Sequence, residues 1–217
     1  VHDSIEGARG VLLLATAAEI ENAAATEIVA NALNSFGLEG AKAVEVADLL
    51  AAGSIEAQGS ITDMGAALTS AASVSKQVGI SLEDTVALLT ILAKNGIQGA
   101  AGGTALRVAL LRLVAPSAAA SAQLEKLGVA IRDSQGRIRP EIFADLEEAT
   151  RGLTARQRDL ALATIFGTRG IRAQVNIARD GVSGLNAMRD AITQGGDAQK
   201  LATAQTEGFT GSVENLK

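Results

Sequence analysis

The sequence predicts an all-α fold, an alanine- and glycine-rich multi-helix domain with one short β-hairpin at about residues 129–139. Two observations favour helices. Of the 217 residues 47% are apolar but only 2% are aromatic, so the core must be built from Ala, Leu, Ile and Val at close helix spacing. In addition, the apolar residues of most segments recur at steps of three and four, which is the period of a helix buried on one side.

Residues 1–59 are predicted to form an N-terminal helical segment that could serve as a connection. Good helix formers run from Glu6 to about Phe36, and Gly7 and Gly10 are expected to fray or delay the start. A second apolar pattern follows and ends at Gly53. The composition of the whole segment therefore favours helix.

The predicted core domain, residues 60–195, opens with two capped helices. Ser60 and Ser81 are each followed three residues later by an aspartate, so that the hydroxyl can accept from a first-turn amide while the carboxylate reaches back. Helices should therefore begin at these serines and end near Val78 and Asn95.

A glycine-rich corner is predicted after the second of these helices. Glycines lack β-carbons, so two backbones can approach closely there or adopt torsion angles that other residues avoid. The corner glycines are Gly96, Gly99, Gly102 and Gly103. The next helix should run from about Thr104 to Ala115, with Leu106 on its apolar face and Arg107 outside it.

The hairpin is predicted from a change of period after a short helix that should end at Gly128. Val129 and Ile131 alternate with small or charged residues, Asp133–Gly136 reads as a type I turn, and Ile138 lies in the matching return. Two short strands alone are marginal in water, so the hairpin should lie against neighbouring helices.

Further helices are predicted at 140–152, 154–167, 171–181, 182–192 and, as a C-terminal connecting helix, 196–217. Thr154 with Gln157 forms a third capping box. Phe166 and Gly167 close the helix that this box opens.

Several motifs, in this order, resemble the core signature of tape-measure proteins of long-tailed phages. They are GIS-LED at Gly79–Asp84, NGIQG-AAGGTALR at Asn95–Arg107, LxxLGVxIRDxxGRIRP at Leu124–Pro140 and IFGTRG at Ile165–Gly170. The resemblance covers roughly residues 60–200. We call the following residues of these motifs the structural signature: Gly79, Gly96, Gly99, Gly102, Gly103, Thr104, Leu106, Arg107, Gly128, Gly136, Phe166 and Gly167.

The resemblance implies a non-enzymatic protein that sets tail length by templating tail-tube assembly inside the lumen and is released during genome ejection. It implies tail-tube and tail-tip or baseplate hub proteins as partners, several copies side by side, and a location in the virion tail interior after assembly in the host cytoplasm. Two alternatives stay open: a tail-carried effector module, either a peptidoglycan hydrolase or a pore former, and a helical oligomerisation domain unrelated to phage.

The residues themselves indicate no catalytic, metal or cofactor site. There is no cysteine, and His2 is the only histidine. Gly102-Gly103-Thr104 lacks the lysine of a phosphate-binding loop and follows a helix, not a strand. A glycosidase acid pair could be sought among Asp133, Glu141, Asp145, Glu147 and Glu148. Without Trp or Tyr to line a sugar cleft, a solvated helix face explains these acids better.

The charge is uneven along the chain. Residues 1–103 carry 4 basic and 12 acidic side chains, residues 104–217 carry 15 and 12, and the net charge is −5. Such a polarised protein could associate head to tail, whereas specific nucleic-acid binding would require a stronger basic excess.

The longest apolar run, Val11–Ala18, is too short to span a bilayer. Because the chain begins with Val1, we expect an excerpt or a trimmed product.

Overall fold

A computed structural model of the chain describes residues 2–179 and 181–214, and the side chains of 4–179 and 181–207. Eleven α-helices fill this described part, so the all-α prediction is confirmed. The helices are α1 His2–Ala18, α2 Asn22–Phe36, α3 Ala43–Ala57, α4 Ile61–Gln77, α5 Leu82–Lys94, α6 Gly99–Val114, α7 Ala118–Leu127, α8 Ile142–Thr150, α9 Ala155–Ala178, α10 Gly181–Ile192 and α11 Asp197–Glu214. A 3₁₀ turn, Gly40–Lys42, precedes α3.

The helices form two layers. In the first layer α2 packs on α4, α4 on α6, and α6 on α9. In the second layer α1 packs on α3, α3 on α5, and α5 on α10, while α11 lies against α1 and α3. Contacts of α1 with α2, α3 with α4, and α5 with α4 and α6 join the layers, and one hydrophobic cluster runs through both.

Helix α5 lies at the centre of the fold. Its residues from Val86 to Ala93 are all buried, so apolar side chains leave it in every direction. Two threonines interrupt the apolar surface, and the hydroxyl of Thr90 donates to the carbonyl oxygen of Val86 at 2.8 Å. This hydrogen bond satisfies the polar group without a partner from another helix.

The predicted N-caps are present. Ser60 and Ser81 each accept a hydrogen bond at 3.0 Å from the amide three residues later, and both helices begin at the next residue. The complete capping box forms only at Thr154, whose hydroxyl accepts from the Gln157 amide while the Gln157 side chain accepts from the Thr154 amide.

The predicted β-hairpin at 129–139 is wrong. The segment contains a single antiparallel bridge, between Arg132 and Ile138, and no strand. Its turn does form, because the Gly136 amide donates to the Asp133 carbonyl oxygen at 3.0 Å. The Ile138 amide, however, donates to the carbonyl oxygen of Val78 at 2.9 Å. This amide points away from the bridged partner and attaches the segment to the α4–α5 turn. The ladder does not extend, because the Arg137 amide donates to a side-chain oxygen of Asp133 at 2.9 Å instead of to its carbonyl oxygen, and Pro140 has no amide hydrogen.

Three predicted helix boundaries also differ from the structure. The segment expected as one helix from Glu6 to Phe36 is two helices, because the chain turns at Glu19 with φ of 53°. Helix α1 begins at His2, so Gly7 and Gly10 lie inside it and do not delay its start. Helix α6 begins at Gly99, five residues before the predicted start.

Candidate functional site: glycine contacts between helices

Helices α4 and α6 touch through their backbones at Gly103. A β-carbon at residue 103 would lie 2.0 Å from the carbonyl oxygen of Ala67 and 2.7 Å from the β-carbon of Ser70. Both distances are far below van der Waals contact, so only glycine allows this approach. The pair makes one of the most extensive helix contacts in the fold, and Gly103 is buried within it.

The first turn of α6 continues this contact. Gly99 has φ of 57°, and a β-carbon there would lie 3.1 Å from a carboxylate oxygen of Asp63. A β-carbon at Gly102 would lie 2.5 Å from the carbonyl oxygen of Ile97. Leu106, one turn further, is fully buried. The predicted glycine corner is therefore the tightly packed N-terminal turn of a helix.

Other residues of the structural signature lie outside this contact. Thr104 and Arg107 are exposed on α6. Gly96, Gly128 and Gly136 have positive φ and no atom within 4 Å of a β-carbon position, so they serve as turn residues. The structure thus brings together Gly99, Gly102, Gly103 and Leu106. The three turn glycines and the exposed side chains of Thr104 and Arg107 take no part in this contact.

Gly79 receives the 129–139 segment. A β-carbon at Gly79 would lie 2.6 Å from Cγ of Arg137, and the residue has φ of 84°. The Arg137 side chain, in turn, donates from Nε to a carboxylate oxygen of Asp133 at 2.9 Å. Gly79 thus gives the α4–α5 turn both its backbone conformation and the room for the docked segment.

Phe166 and Gly167 mark a kink within α9. The backbone of Gly167 has φ of 67° and ψ of 175°, which are not helical values, yet helix continues on both sides. The ring of Phe166 stacks on that of Phe143 from α8, with centroids 6.0 Å apart. The guanidinium of Arg112 on α6 lies over the kink, with Nη2 3.4 Å from where a β-carbon of Gly167 would be.

Four further glycines outside the structural signature make helix contacts. A β-carbon would lie 2.3 Å from Ala43 at Gly10, 2.8 Å from Thr90 at Gly53 and 3.0 Å from Ile28 at Gly65, whereas at Gly170 it would lie 3.5 Å from Ala109, which is an ordinary contact. The sequence carries one signal for them: each is a glycine inside an apolar helical pattern, where glycine is unfavourable unless packing requires it.

The sequence of the chain matches a known family. A family model described as phage-related minor tail protein matches residues 1–167. The chain belongs to this family. All twelve residues of the structural signature lie within the matched range, which ends at the kink in α9.

Two curated phage proteins are similar to the chain. A tape measure protein of Pneumococcus phage Dp-1 is 32% identical over 219 residues, which is 100% of this chain and 19% of the phage protein. A probable tape measure protein of Escherichia phage P2 is 34% identical over 174 residues, 76% of this chain and 21% of that protein. The chain thus spans about a fifth of the length of these relatives. No solved structure matches it.

The acids considered as a glycosidase pair are all ion-paired with arginines. The pairs are Asp133–Arg137, Glu141–Arg189, Asp145–Arg139, Glu147–Arg158 and Glu148–Arg151. Hydrogen bonds from Arg137, first from its backbone amide and then from its side chain, hold the pKa of Asp133 below its ordinary value. The arrangement is that of a charged helix surface. Within the described ranges, no group of three or more His, Cys, Asp or Glu residues could hold a metal ion.

Arg189 joins three parts of the chain. Its Nε pairs with Asp84 on α5, its Nη2 lies 3.4 Å from Glu141 before α8, and its Nη1 donates to Asn186 at 2.9 Å. Burial alone would lower the pKa of Arg189, but the hydrogen bonds and charges of Asp84 and Glu141 outweigh it, so the pKa is raised. Asp84 therefore binds α10 instead of completing the capping box at Ser81.

An open apolar groove of about 860 Å³ lies between α1 and α11. Ile5 and Leu12 line it and are more than half exposed.

No single helix of the described chain has the length and apolarity needed to cross a membrane. Helices α6 and α7 reach these values only when taken together, and they are bent by 87° relative to each other.

Proposed function

We propose that this chain is a helical domain of a tape-measure protein, a structural and non-enzymatic component of a phage tail. In this role the parent protein occupies the lumen of the tail tube, sets the length to which the tube polymerises, and leaves with the genome. The observation that carries the proposal is the family match over residues 1–167, supported by relatives that are named tape measure proteins.

The packing suits this role. Helices α2, α4, α6 and α9 form a row in which glycines permit close approach at the first two contacts: Gly65 faces α2, and Gly103 faces α4. Glycine contacts bring helix axes closer than side-chain packing does. A row of closely spaced helices occupies a small cross-section, which fits a narrow tube. The many interhelical contacts also favour a folded domain attached to a length-setting rod over the rod itself.

The partners in this proposal are tail-tube proteins and tail-tip or baseplate hub proteins, and several copies of the chain lie in one tail. The protein belongs in the virion tail interior and, during assembly, in the host cytoplasm. Its mechanism is geometric: the surface of the chain determines what it binds, and no bond is made or broken.

The test is tail assembly by a phage or prophage that encodes the chain. The codons for residues 1–217 of this chain are deleted in frame from the parent gene. Purified particles are then imaged to obtain the distribution of tail lengths. We expect loss of tails or irregular lengths, and mass spectrometry of wild-type particles should detect peptides of this chain. Tails of unchanged length and number after the deletion would contradict the proposal.

Point variants make the test sharper. G103L inserts a large side chain at the 2.0 Å approach between α4 and α6 and should reproduce the deletion phenotype. G7A is the matched control, because a β-carbon there meets only the Gly40 carbonyl oxygen at 3.7 Å, an ordinary contact. A separate peptidoglycan-release assay on the purified chain, with lysozyme as positive control, should show no turnover. Clear turnover would refute the non-enzymatic assignment.

A further inference from the structure

The row of helices α2, α4, α6 and α9 has two charged ends of opposite sign. Within this row α2 comes first and α9 last, with α4 and α6 between them, and α7 and α8 pack on further sides of α9. The charge split seen along the sequence therefore becomes a separation in space, because α2 comes from the acidic half of the chain and α9 from the basic half.

The basic end consists of four exposed arginines, which we call the basic face: Arg107, Arg112, Arg169 and Arg172. They lie on α6 and on the second half of α9, two helices that touch at Gly170 and Ala109. Neither α6 nor residues 167–178 contains a carboxylate. None of the four arginines belongs to an ion pair within the described part of the chain.

The basic face also contains exposed apolar side chains. Leu111 on α6 is 45% exposed, and Val175 on α9 is 44% exposed. Leu111 is one turn from Arg107, and Val175 is three residues from Arg172, so each pair shares a side of its helix. Arginine mixed with exposed aliphatic side chains is typical of a protein interface.

The acidic end is the turn between α1 and α2. Residues 10–41 contain no lysine or arginine, and three exposed glutamates lie around this turn. We call Glu19, Glu21 and Glu27 the acidic corner. None of them forms an ion pair among residues whose side chains the structure describes. Both ends thus carry charges that the folded chain itself leaves unneutralised.

We propose that the basic face of one copy docks on the acidic corner of the next copy, so that chains associate head to tail. This contact deepens the proposed function, on which it rests for the presence of several copies in one tail. Because it joins two different surfaces, it extends from copy to copy and is not limited to a two-fold dimer. A second copy fits better than nucleic acid, since the chain has a net charge of −5 and no Trp or Tyr for base stacking.

The first measurement is the molar mass of the purified chain by analytical ultracentrifugation, as a function of protein concentration and salt. We expect species larger than a dimer at about 20 mM NaCl, and association at least about tenfold weaker at roughly 500 mM NaCl, because salt shortens the screening length to a few ångströms. Monomers at every concentration and salt level would overturn the proposal.

Charge reversal identifies the surfaces. R169E/R172E cancels the net charge of the basic face, and E19K/E27K turns the acidic corner from a charge of −3 to +1, so each variant alone should remain monomeric. An equimolar mixture should associate again, because each variant supplies the surface that the other has lost. The controls K76E/K94E and E125K/E207K change the net charge equally at exposed residues that belong to neither surface and should associate like the wild type.

The remaining outcomes are decisive as well. Association that survives both reversals, or a mixture that stays monomeric while circular dichroism shows both variants folded, would overturn the proposal. Anisotropy with a labelled 20-base-pair duplex tests the alternative ligand: binding lost in R169E/R172E, without any change in self-association, would assign the basic face to nucleic acid. Normal tail assembly by the E19K/E27K parent would refute only this contact, whereas the in-frame deletion tests the tail function itself.

Discussion

Replacing Gly103 by alanine tests the closest contact in the fold. Alanine normally stabilises a helix by about 0.5–1 kcal/mol relative to glycine, because glycine loses more backbone entropy on folding. At residue 103 the added methyl group would lie 2.0 Å from the carbonyl oxygen of Ala67. Restoring an ordinary carbon–oxygen contact of about 3.4 Å requires α4 and α6 to separate by roughly 1 Å or more.

The expected sign is therefore the reverse of the normal effect. The clashing atom belongs to the backbone, so no side-chain rotation relieves the overlap, and overpacking of this kind costs about 1–3 kcal/mol. After the helix-propensity gain is subtracted, G103A should lower the free energy of unfolding by roughly 1–2 kcal/mol. For a chain of this size that corresponds to a fall in melting temperature of about 2–8 °C.

G7A is the internal standard for this prediction. Gly7 lies within α1, and a β-carbon there meets nothing closer than 3.7 Å. The same substitution should therefore raise the free energy of unfolding by about 0.5–1 kcal/mol. Urea unfolding followed by circular dichroism at 222 nm measures both variants. If G103A is as stable as the wild type, or if both substitutions shift stability in the same direction, the close approach of α4 and α6 is refuted.

Three further predictions concern the caps, the charges and the kink. T154A should lower the free energy of unfolding by about 1 kcal/mol, as measured by urea unfolding, whereas T154S keeps the hydroxyl and should be as stable as the wild type. The pKa of Asp133, followed by carboxyl NMR, should lie below the ordinary aspartate value, so its stabilising effect is present above that value and lost as the pH falls through the lower, folded-state pKa; R137A removes the guanidinium but keeps the backbone amide that lowers this pKa most, so it should remove only part of the shift, and an unshifted carboxyl in the wild type would contradict the reasoning. G167A should cost about 1–3 kcal/mol because the φ and ψ of this residue are essentially restricted to glycine, and a crystal structure of a stable G167A variant with the same kink would show that reasoning to be wrong.

The helix starts were predictable because they depend on local chemistry. A serine or threonine hydroxyl and an amide three residues later suffice to specify Ser60, Ser81 and Thr154 as caps. The same local rules failed at the start of α6. Glycine is a poor helix former, so the pattern predicted a corner up to Gly103, whereas packing against α4 makes these glycines helical.

The predictions of the hairpin and of a single helix across the α1–α2 break failed because the deciding hydrogen bonds and backbone torsion angles leave no signal in the local sequence. An alternating pattern predicted strands at 129–139, but the Arg137 amide donates to the side chain of Asp133 and not to its carbonyl oxygen, and the segment docks through Ile138 on Val78, sixty residues earlier in the chain. No motif marks Glu19 as a residue with positive φ, a conformation that a non-glycine residue rarely adopts.

Only part of the candidate site could be predicted from the sequence, for a related reason. Sequence indicates that a glycine permits close approach, but not which helix approaches it. Gly99, Gly102 and Gly103 stood out because they are clustered. Gly53 and Gly65 are isolated in their helices, and their contacts with Thr90 and Ile28 depend on the layer arrangement. Knowledge of the partner helix is what converts such a glycine into a packing residue.

The close packing also bears on what the site can do. Where α4 meets α6, the backbones leave no layer of side chains between them, and the cavity bordered by Ala67 and Gly99 has a volume of about 10 Å³. That is about the space of one water molecule. The feature that makes the helix row thin therefore also removes the room that a substrate would need there. Glycine at these positions therefore serves the close packing of the helices and not chemistry.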